Sequence, residues 1–344
     1  MVKNNFEGLS WAKLKTLSAR KKVILFGASR KCKEVMEKHL TKYHVIVRYI
    51  CDNDKNKHGT YFNGVPVEPP SKLLQEDRKS IIVICTSSYF AEIVEQLNKA
   101  NIYCYSVNEI SINSSIHHIK KVRSLLSDVE SIRVFDSIIE KRKKYIDDYS
   151  DICVGNQYFL SELYDIGTEE IFVDCGAFNG DSIHGFLKLT NGKFKEIHAF
   201  EPSPSNFKLL SKACNQQQNI KLYNKGVYDS NSVLHFQEFS ENMAGSRVNG
   251  KGTNSIKVVK IDDVIKGQVT FIKMDVEGCE LKALQGAKKT IATNKPKLAI
   301  CLYHKFEDLW QIPLWVNRIN PAYKMYIRHH YNNIWETVLY ATIS

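Results

Sequence analysis

Short apolar runs alternate with amphipathic stretches along most of this chain. Lys22-Val-Ile-Leu-Phe-Gly27 is a β-rich run closed by glycine, and a helix-like stretch follows to about residue 43. A second run, 45–51, ends in Asp52-Asn-Asp54, and a third, 81–85, ends in Thr86-Ser-Ser88. Phe90, Ile93, Val94 and Leu97 then recur at helical spacing. Strands alternating with helices imply βαβ units and a parallel sheet. This pattern predicts a small α/β domain over residues 1–112, with its sheet beginning near residue 20. Residues 113–165 read as a helical connector. There Ser127-x-x-Glu130 has the form of a capping box, and Val129, Ile132, Phe135 and Ile139 form an apolar stripe.

A second alternating series fills 166–344. Strands are expected at 171–173, 197–200, 220–227, 269–274 and 298–303. Helices are expected at 205–214 and 280–294, the second ended by Pro296. Two further runs, 323–328 and 337–341, are joined through Asn332-Asn333 as a hairpin. The fold class is thus α/β, with a smaller Rossmann-like domain ahead of a mostly parallel sheet that ends in a hairpin.

Composition adds little to this division. In 344 residues, 43% are hydrophobic and 25% charged, which suits a globular protein of two domains. No apolar run approaches the roughly 20 residues that span a bilayer, and the first 22 residues lack the apolar segment of a secretory signal. The expectation is a cytoplasmic protein. Nine cysteines without any C-x-x-C pair argue against a zinc ribbon or a redox motif. The net charge of +11 gathers partly in 117–123 and 141–144. Such clusters are solvated helix faces or a surface for an anionic partner.

Polar residues collect at the C-terminal ends of the second series of strands, the edge where open α/β sheets bind ligands. Asp174-x-Gly176-x-x-x-Gly180 places an acid ahead of a glycine loop, with Asp181 after it. A pyrophosphate loop has no need of that acid, since it uses bare helix N–H donors. A cationic ligand with a free amino group fits better, and Asp174 either receives that group or orients the loop. Glu201, at the end of the next strand, suits a ribose diol. Asp275 and Glu277 end the fourth strand and His304 the fifth. Asp275 orients ligand or serves as a base. Glu277 is a base or a helix cap, and His304 a base or a core histidine. A neutral histidine titrates near 6.5 and is matched to accepting a proton at cellular pH. Ser246-Arg247 touches substrate or its own backbone. No metal constellation stands out.

Val173-Asp-Cys-Gly-Ala-Phe-Asn-Gly-Asp181, Phe200-Glu-Pro-Ser203 and Ile272-Lys-Met-Asp-Val-Glu-Gly-Cys-Glu280 resemble the signature blocks of the FkbM family of methyltransferases. Gln285-Gly-Ala287, Lys295-Pro-Lys-Leu298 and Arg328-His-His330 are similar to it too. The resemblance runs from about residue 125 to the end. It implies a seven-stranded class I methyltransferase sheet, S-adenosyl-L-methionine as methyl donor and a hydroxyl acceptor on a small molecule or glycan, nucleotide- or lipid-linked. Members often serve polyketide or surface-polysaccharide pathways. It makes Asp174, Gly176, Gly180 and Asp181 the cofactor loop, gives Glu201 the ribose and sets Asp275 and Glu277 beside the sulfonium. Cys175 stands where the family more often has a small aliphatic residue. The charge suggests RNA as another acceptor, but no RNA-binding module is present. A third reading is a nucleotide-sugar-binding or scaffolding protein with an inactive methyltransferase domain, against which the intact loop and Glu201 speak.

Val23-Ile-Leu-Phe-Gly-Ala-Ser29, Tyr49-Ile-Cys-Asp52 and Gly64-Val-Pro-Val67 resemble the N-terminal Rossmann-like domain of sugar-modifying enzymes. Ser29 and Cys32 replace two glycines of a dinucleotide fingerprint, so nicotinamide turnover is not expected. Arg30 and Lys31 would meet a sugar-nucleotide phosphate, or the domain takes no ligand.

Overall fold

The computed structural model describes residues 6, 8–237, 247–248 and 254–343. It divides into two compact units, Met1–Ile119 with Ile138–Ile146, and Lys120–Ser137 with Asp147–Ser344. Among the described residues, no helix is long and apolar enough to cross a membrane.

The first unit is built on six strands: β1 (Lys22–Phe26), β2 (Val47–Cys51), β3 (Tyr61–Phe62), β4 (Val65–Glu68), β5 (Ile81–Cys85) and β6 (Cys104–Ser106). Their order is β3-β4-β2-β1-β5-β6, all parallel except the β3–β4 hairpin. The central strands are apolar on both faces because both faces are covered. Leu25, Ile50 and Ile84 pack into one core layer and Ile24, Tyr49 and Val83 into the other. Helices α1 (Trp11–Ser18), α2 (Arg30–Val35), α3 (Phe90–Asn98) and α4 (Val107–Ser114) accompany the sheet.

Helices α5 (Ile116–Leu125) and α6 (Val129–Lys144) follow. Part of their positive charge is neutralised locally, by Arg123 with Asp136 and by Lys143 and Lys144 with Glu140. The capping box expected from Ser127 does not form. Asp128 caps α6 instead, its Oδ1 accepting from the Ser131 N–H at 2.6 Å. The Ser127 hydroxyl accepts from Met325 N, and Glu130 pairs with Arg133. The carboxylate of Asp128 also receives Arg328, so the cap serves the sheet as well as the helix.

The second unit carries seven strands: β7 (Ile171–Cys175), β8 (Glu196–Phe200), β9 (Ile220–Tyr223) and, later in the chain, β14 (Phe271–Met274), β15 (Lys297–Cys301), β16 (Lys324–His329) and β17 (Thr337–Thr342). The order is β16-β17-β15-β14-β7-β8-β9, with β17 alone antiparallel to its neighbours. The expected seven-stranded sheet with a terminal hairpin is therefore present. Its core runs through Phe172, Phe186 and Phe271, stacked with centroids 4.8–5.1 Å apart. Helices α7 (Asp181–Leu189), α8 (Pro204–Ala213), α9 (Ile261–Val264), α10 (Glu280–Gly286), α11 (Lys288–Asn294) and α12 (Asp308–Ile319) accompany it.

Two expectations are corrected. The strand expected at 220–227 ends at Tyr223. A separate four-stranded sheet of β10 (Gly226–Val227), β11 (Ser232–Gln237), β12 (Arg247–Val248) and β13 (Asn254–Val259) follows. The helix expected over 280–294 breaks into α10 and α11 near Gly286, which lies against Tyr228; a Cβ there would stand 1.9 Å from the Tyr228 carbonyl oxygen. Helix α12 contains Pro313, a helix breaker by pattern. Ser246 and the Arg247 side chain lie outside the described residues.

Candidate functional site

The order places β7 between β8 and β14, so the chain reverses direction of winding at the β7/β14 border, where such sheets bind ligands. The loops after β7, β8, β14 and β15 all leave from this C-terminal edge, where Asp174, Gly176, Gly180, Asp181, Glu201, Asp275, Glu277 and His304 lie in or beside them.

The glycine loop is tied to its neighbours from below. Asp174 is fully buried, hydrogen-bonded by the Ser182 hydroxyl and 3.2 Å from the ammonium of Lys273 on β14. Lys273 Nζ also donates to the Gly176 carbonyl at 2.7 Å. Burial pulls the lysine down, but Asp174 and then Asp275 hold it above its ordinary value, so it is an ammonium. Asp174 is thus held inside the fold between Lys273 and Ser182. Gly176 has φ 79°, and a Cβ on it would stand 1.9 Å from the Asp275 carbonyl oxygen. The backbone it approaches is that of β14. Gly180, at φ 93°, is the N-cap of α7 and meets Leu210 and Ala213 of α8 at ordinary contact distance. Asp181 opens α7 and is exposed, its Oδ1 accepting from Ser182 N.

Glu201, only 5% exposed, spans two loops. One oxygen accepts from Phe178 N in the glycine loop at 2.9 Å, the other from Ser203 N at the start of α8 at 2.8 Å. Each oxygen keeps a second lone pair. Burial raises its pKa to about 7, against the opposing pull of the Ser203 and Phe178 N–H groups.

Asp275, Glu277 and His304 come together. The Asp275 carboxylate accepts from the hydroxyls of Tyr158 and Tyr303, each at 3.0 Å. Burial opposes its ionisation, but Lys273 and then His304 hold it below the usual carboxylate range. Glu277 and Gly278 are consecutive left-handed residues, φ 54° and 85°, and their turn folds back on His304. His304 Nε2 lies 3.5 Å from Asp275 and 3.4 Å from Glu277, and Nδ1 lies 2.8 Å from Glu280. The expectation of a histidine titrating near 6.5 does not survive this arrangement. Burial lowers its pKa, but Glu280, then Glu277, then Asp275 raise it to about 11. Both ring nitrogens face carboxylates. Glu277 is the most open of the three, with 35% of its side chain exposed.

Sequence reasoning passed over Lys273, Tyr158, Tyr303 and Glu280. Lys273 had a signal: a lysine inside Phe271-Ile-Lys-Met274 must be paired if the strand is buried. Tyr158 had none, because it reaches Asp275 from 117 positions away.

The hairpin loop 330–336 also lies at this edge, since β16 runs parallel to β15 and β17 returns. Trp335 stands edge-on to Tyr303, ring centroids 5.9 Å apart. The neighbouring Arg328 and His330 are structural: Arg328 donates to Ser131 and Asp128, and His330 donates from Nδ1 to the Val154 carbonyl and accepts at Nε2 from the Tyr340 hydroxyl.

In the first unit the equivalent edge is closed on itself. Asp52 accepts from Ala28 N at 2.8 Å and pairs with Lys57 at 3.0 Å. Lys31 lies 4.0 Å over the Tyr145 ring and donates to its hydroxyl; burial lowers its pKa to about 8. Arg30 is exposed beside Glu34, so the two cations diverge.

A glycine loop after the first strand of a 6-7-5-4-1-2-3 sheet, an acid after the second and acids after the fourth define a methyltransferase domain. Residues 174–335 match the model of the methyltransferase FkbM domain, and residues 19–108 match the C2185-like N-terminal domain. Among solved structures it is similar to methyltransferase FkbM from Methylobacillus flagellatus KT, at 23% identity over 97% of this chain and 94% of that chain, with a TM-score of 0.59. An rRNA methylase from Streptococcus thermophilus is 16% identical over 54% of this chain and 92% of that one, with a TM-score of 0.35. Aeropyrum pernix fibrillarin, with natively bound S-adenosyl-L-methionine, is 10% identical over 52% and 70%, with a TM-score of 0.34. No curated protein matches the chain.

Proposed function

We propose that this protein transfers the methyl group of S-adenosyl-L-methionine to a hydroxyl of a sugar or related small molecule, in surface-polysaccharide or secondary-metabolite biosynthesis. The observation that carries the reading is Glu201 bonded to the loop of Gly176 and Gly180, one strand from Asp275. In this reading the loop 176–181 cradles the cofactor, with Asp181 at its open end. Glu201 takes the ribose diol on its remaining lone pairs, and Asp275 faces the sulfonium. Asp174 acts through Lys273. The cofactor supplies its own leaving group, so the enzyme mainly aligns acceptor oxygen and methyl carbon. Proton removal adds roughly 10²–10⁴-fold. Because both nitrogens of His304 face carboxylates, that step falls to Glu277, with His304 holding Glu277 and Asp275 in place.

Calorimetry with S-adenosylhomocysteine tests the cofactor, and transfer of labelled methyl from S-adenosyl-L-methionine to a panel of nucleotide-sugars and glycans tests the acceptor. No binding of S-adenosylhomocysteine overturns the reading; label entering RNA rather than glycans overturns the acceptor class.

A further inference from the structure

The edge formed by β14 and β15 holds more than an acceptor's surroundings. Asp275, Glu280 and His304 each present a ligand atom, and all three atoms lie within 4.8 Å of one another. One cation about 2.0–2.5 Å from each atom spans that distance. Two buried atoms in this group lack hydrogen-bond partners. Glu280 is fully buried; its Oε1 accepts from Val276 and Gly278 N–H groups, but its Oε2 has no partner. The side chain of His304 is 7% exposed, and its Nδ1, although 2.8 Å from Glu280 Oε1, lies off the line of a hydrogen bond. Buried polar groups normally find partners.

Two further features are those of a metal centre. The Tyr158 and Tyr303 hydroxyls fix the Asp275 carboxylate from outside, as groups behind metal ligands do. The Val276 and Gly278 N–H groups do the same for Glu280. We propose that Asp275, Glu280 and His304 bind one divalent cation of the kind that accepts an imidazole nitrogen together with carboxylate oxygens. Manganese, iron, cobalt and zinc suit such a mixed set better than calcium or magnesium. With Glu277 beside it, the cation would receive the acceptor hydroxyl and lower its pKa, easing proton loss. That role rests on the methyltransferase reading; cation binding does not.

The test uses the full-length chain, stripped with chelator and titrated with Mn²⁺. The free-ion electron paramagnetic resonance signal gives the stoichiometry, and pulsed measurements read coupling to a histidine nitrogen. One ion per chain with a nitrogen coupling is expected. His304→Gln should lose the coupling, and both His304→Gln and Glu280→Gln should weaken binding at least about tenfold. If Glu280→Gln does not fold, His304→Gln carries the test alone. The proposal is overturned by no binding with Kd below about 1 mM, by bound Mn²⁺ without nitrogen coupling, or by wild-type affinity in the folded variants. A parallel S-adenosylhomocysteine titration reads the cofactor site separately.

Discussion

The carbonyl oxygen of Asp275 occupies the space in which Gly176 would carry a side chain, 1.9 Å from an ideal Cβ. The glycine loop and the end of β14 are thus fitted backbone to backbone. Gly176→Ala meets both that carbonyl and a left-handed φ, and should cost more than about 3 kcal/mol. Urea unfolding checks this; a variant as stable as wild type would mean that the loop stands off from β14.

Lys273 and Asp174 are a buried pair, 3% and 0% exposed. Lys273→Met strands a carboxylate and should destabilise by about 3–5 kcal/mol. The double substitution Lys273→Met with Asp174→Asn removes both charges and should recover part of that loss. Denaturant melts of the three proteins decide it: equal loss in the single and the double variant would show that the pair is not coupled.

The ribose contact proposed for Glu201 would link cofactor affinity to pH. Its folded pKa, about 7, lies above its ordinary 4.5. The folded state therefore holds the proton more tightly, and ionising Glu201 costs the free protein stability as pH rises from 4.5 towards 7. The ribose hydroxyls donate best to the carboxylate, so binding of S-adenosylhomocysteine should strengthen up to about tenfold between pH 6 and 8. Glu201→Gln should flatten that dependence, and Glu201→Ala should lose about 1.5–3 kcal/mol. Calorimetry across the range checks all three, and a flat wild-type profile would place Glu201 away from the ribose.

Glu277→Gln keeps the turn and removes the base. Methyl transfer should fall by roughly 10²–10⁴-fold, with S-adenosylhomocysteine affinity unchanged. A variant that transfers methyl at the wild-type rate would show that the proton leaves without Glu277.

The positions of the polar strand ends were legible from the sequence because each follows a short apolar run: Asp174, Glu201, Asp275 and His304 all lie where the periodicity puts them. The state of those groups was not legible. Glu280, Glu277 and Asp275 converge on His304 and raise its pKa, and the Glu277–Gly278 turn helps to bring them there. Asp174 looked available because its partner Lys273 lies 99 residues away. The sheet of β10–β13 escaped because β10 and β12 are only two residues each, and α12 because Pro313 disguises it. The break at Gly286 depends on a carbonyl from Tyr228 that no local pattern reports.

The return of β17 between β15 and β16 has an evolutionary consequence. It delivers a seven-residue turn, 330–336, to the rim beside Tyr303, while the strands that hold that turn are fixed elsewhere by Asp128, Ser131 and Thr337. None of the residues proposed to cradle the cofactor belongs to this turn. Replacing Trp335 changes the rim beside Tyr303 while the loop 176–181 and Glu201 stay as they are, so a lineage can try new acceptors by rewriting one turn.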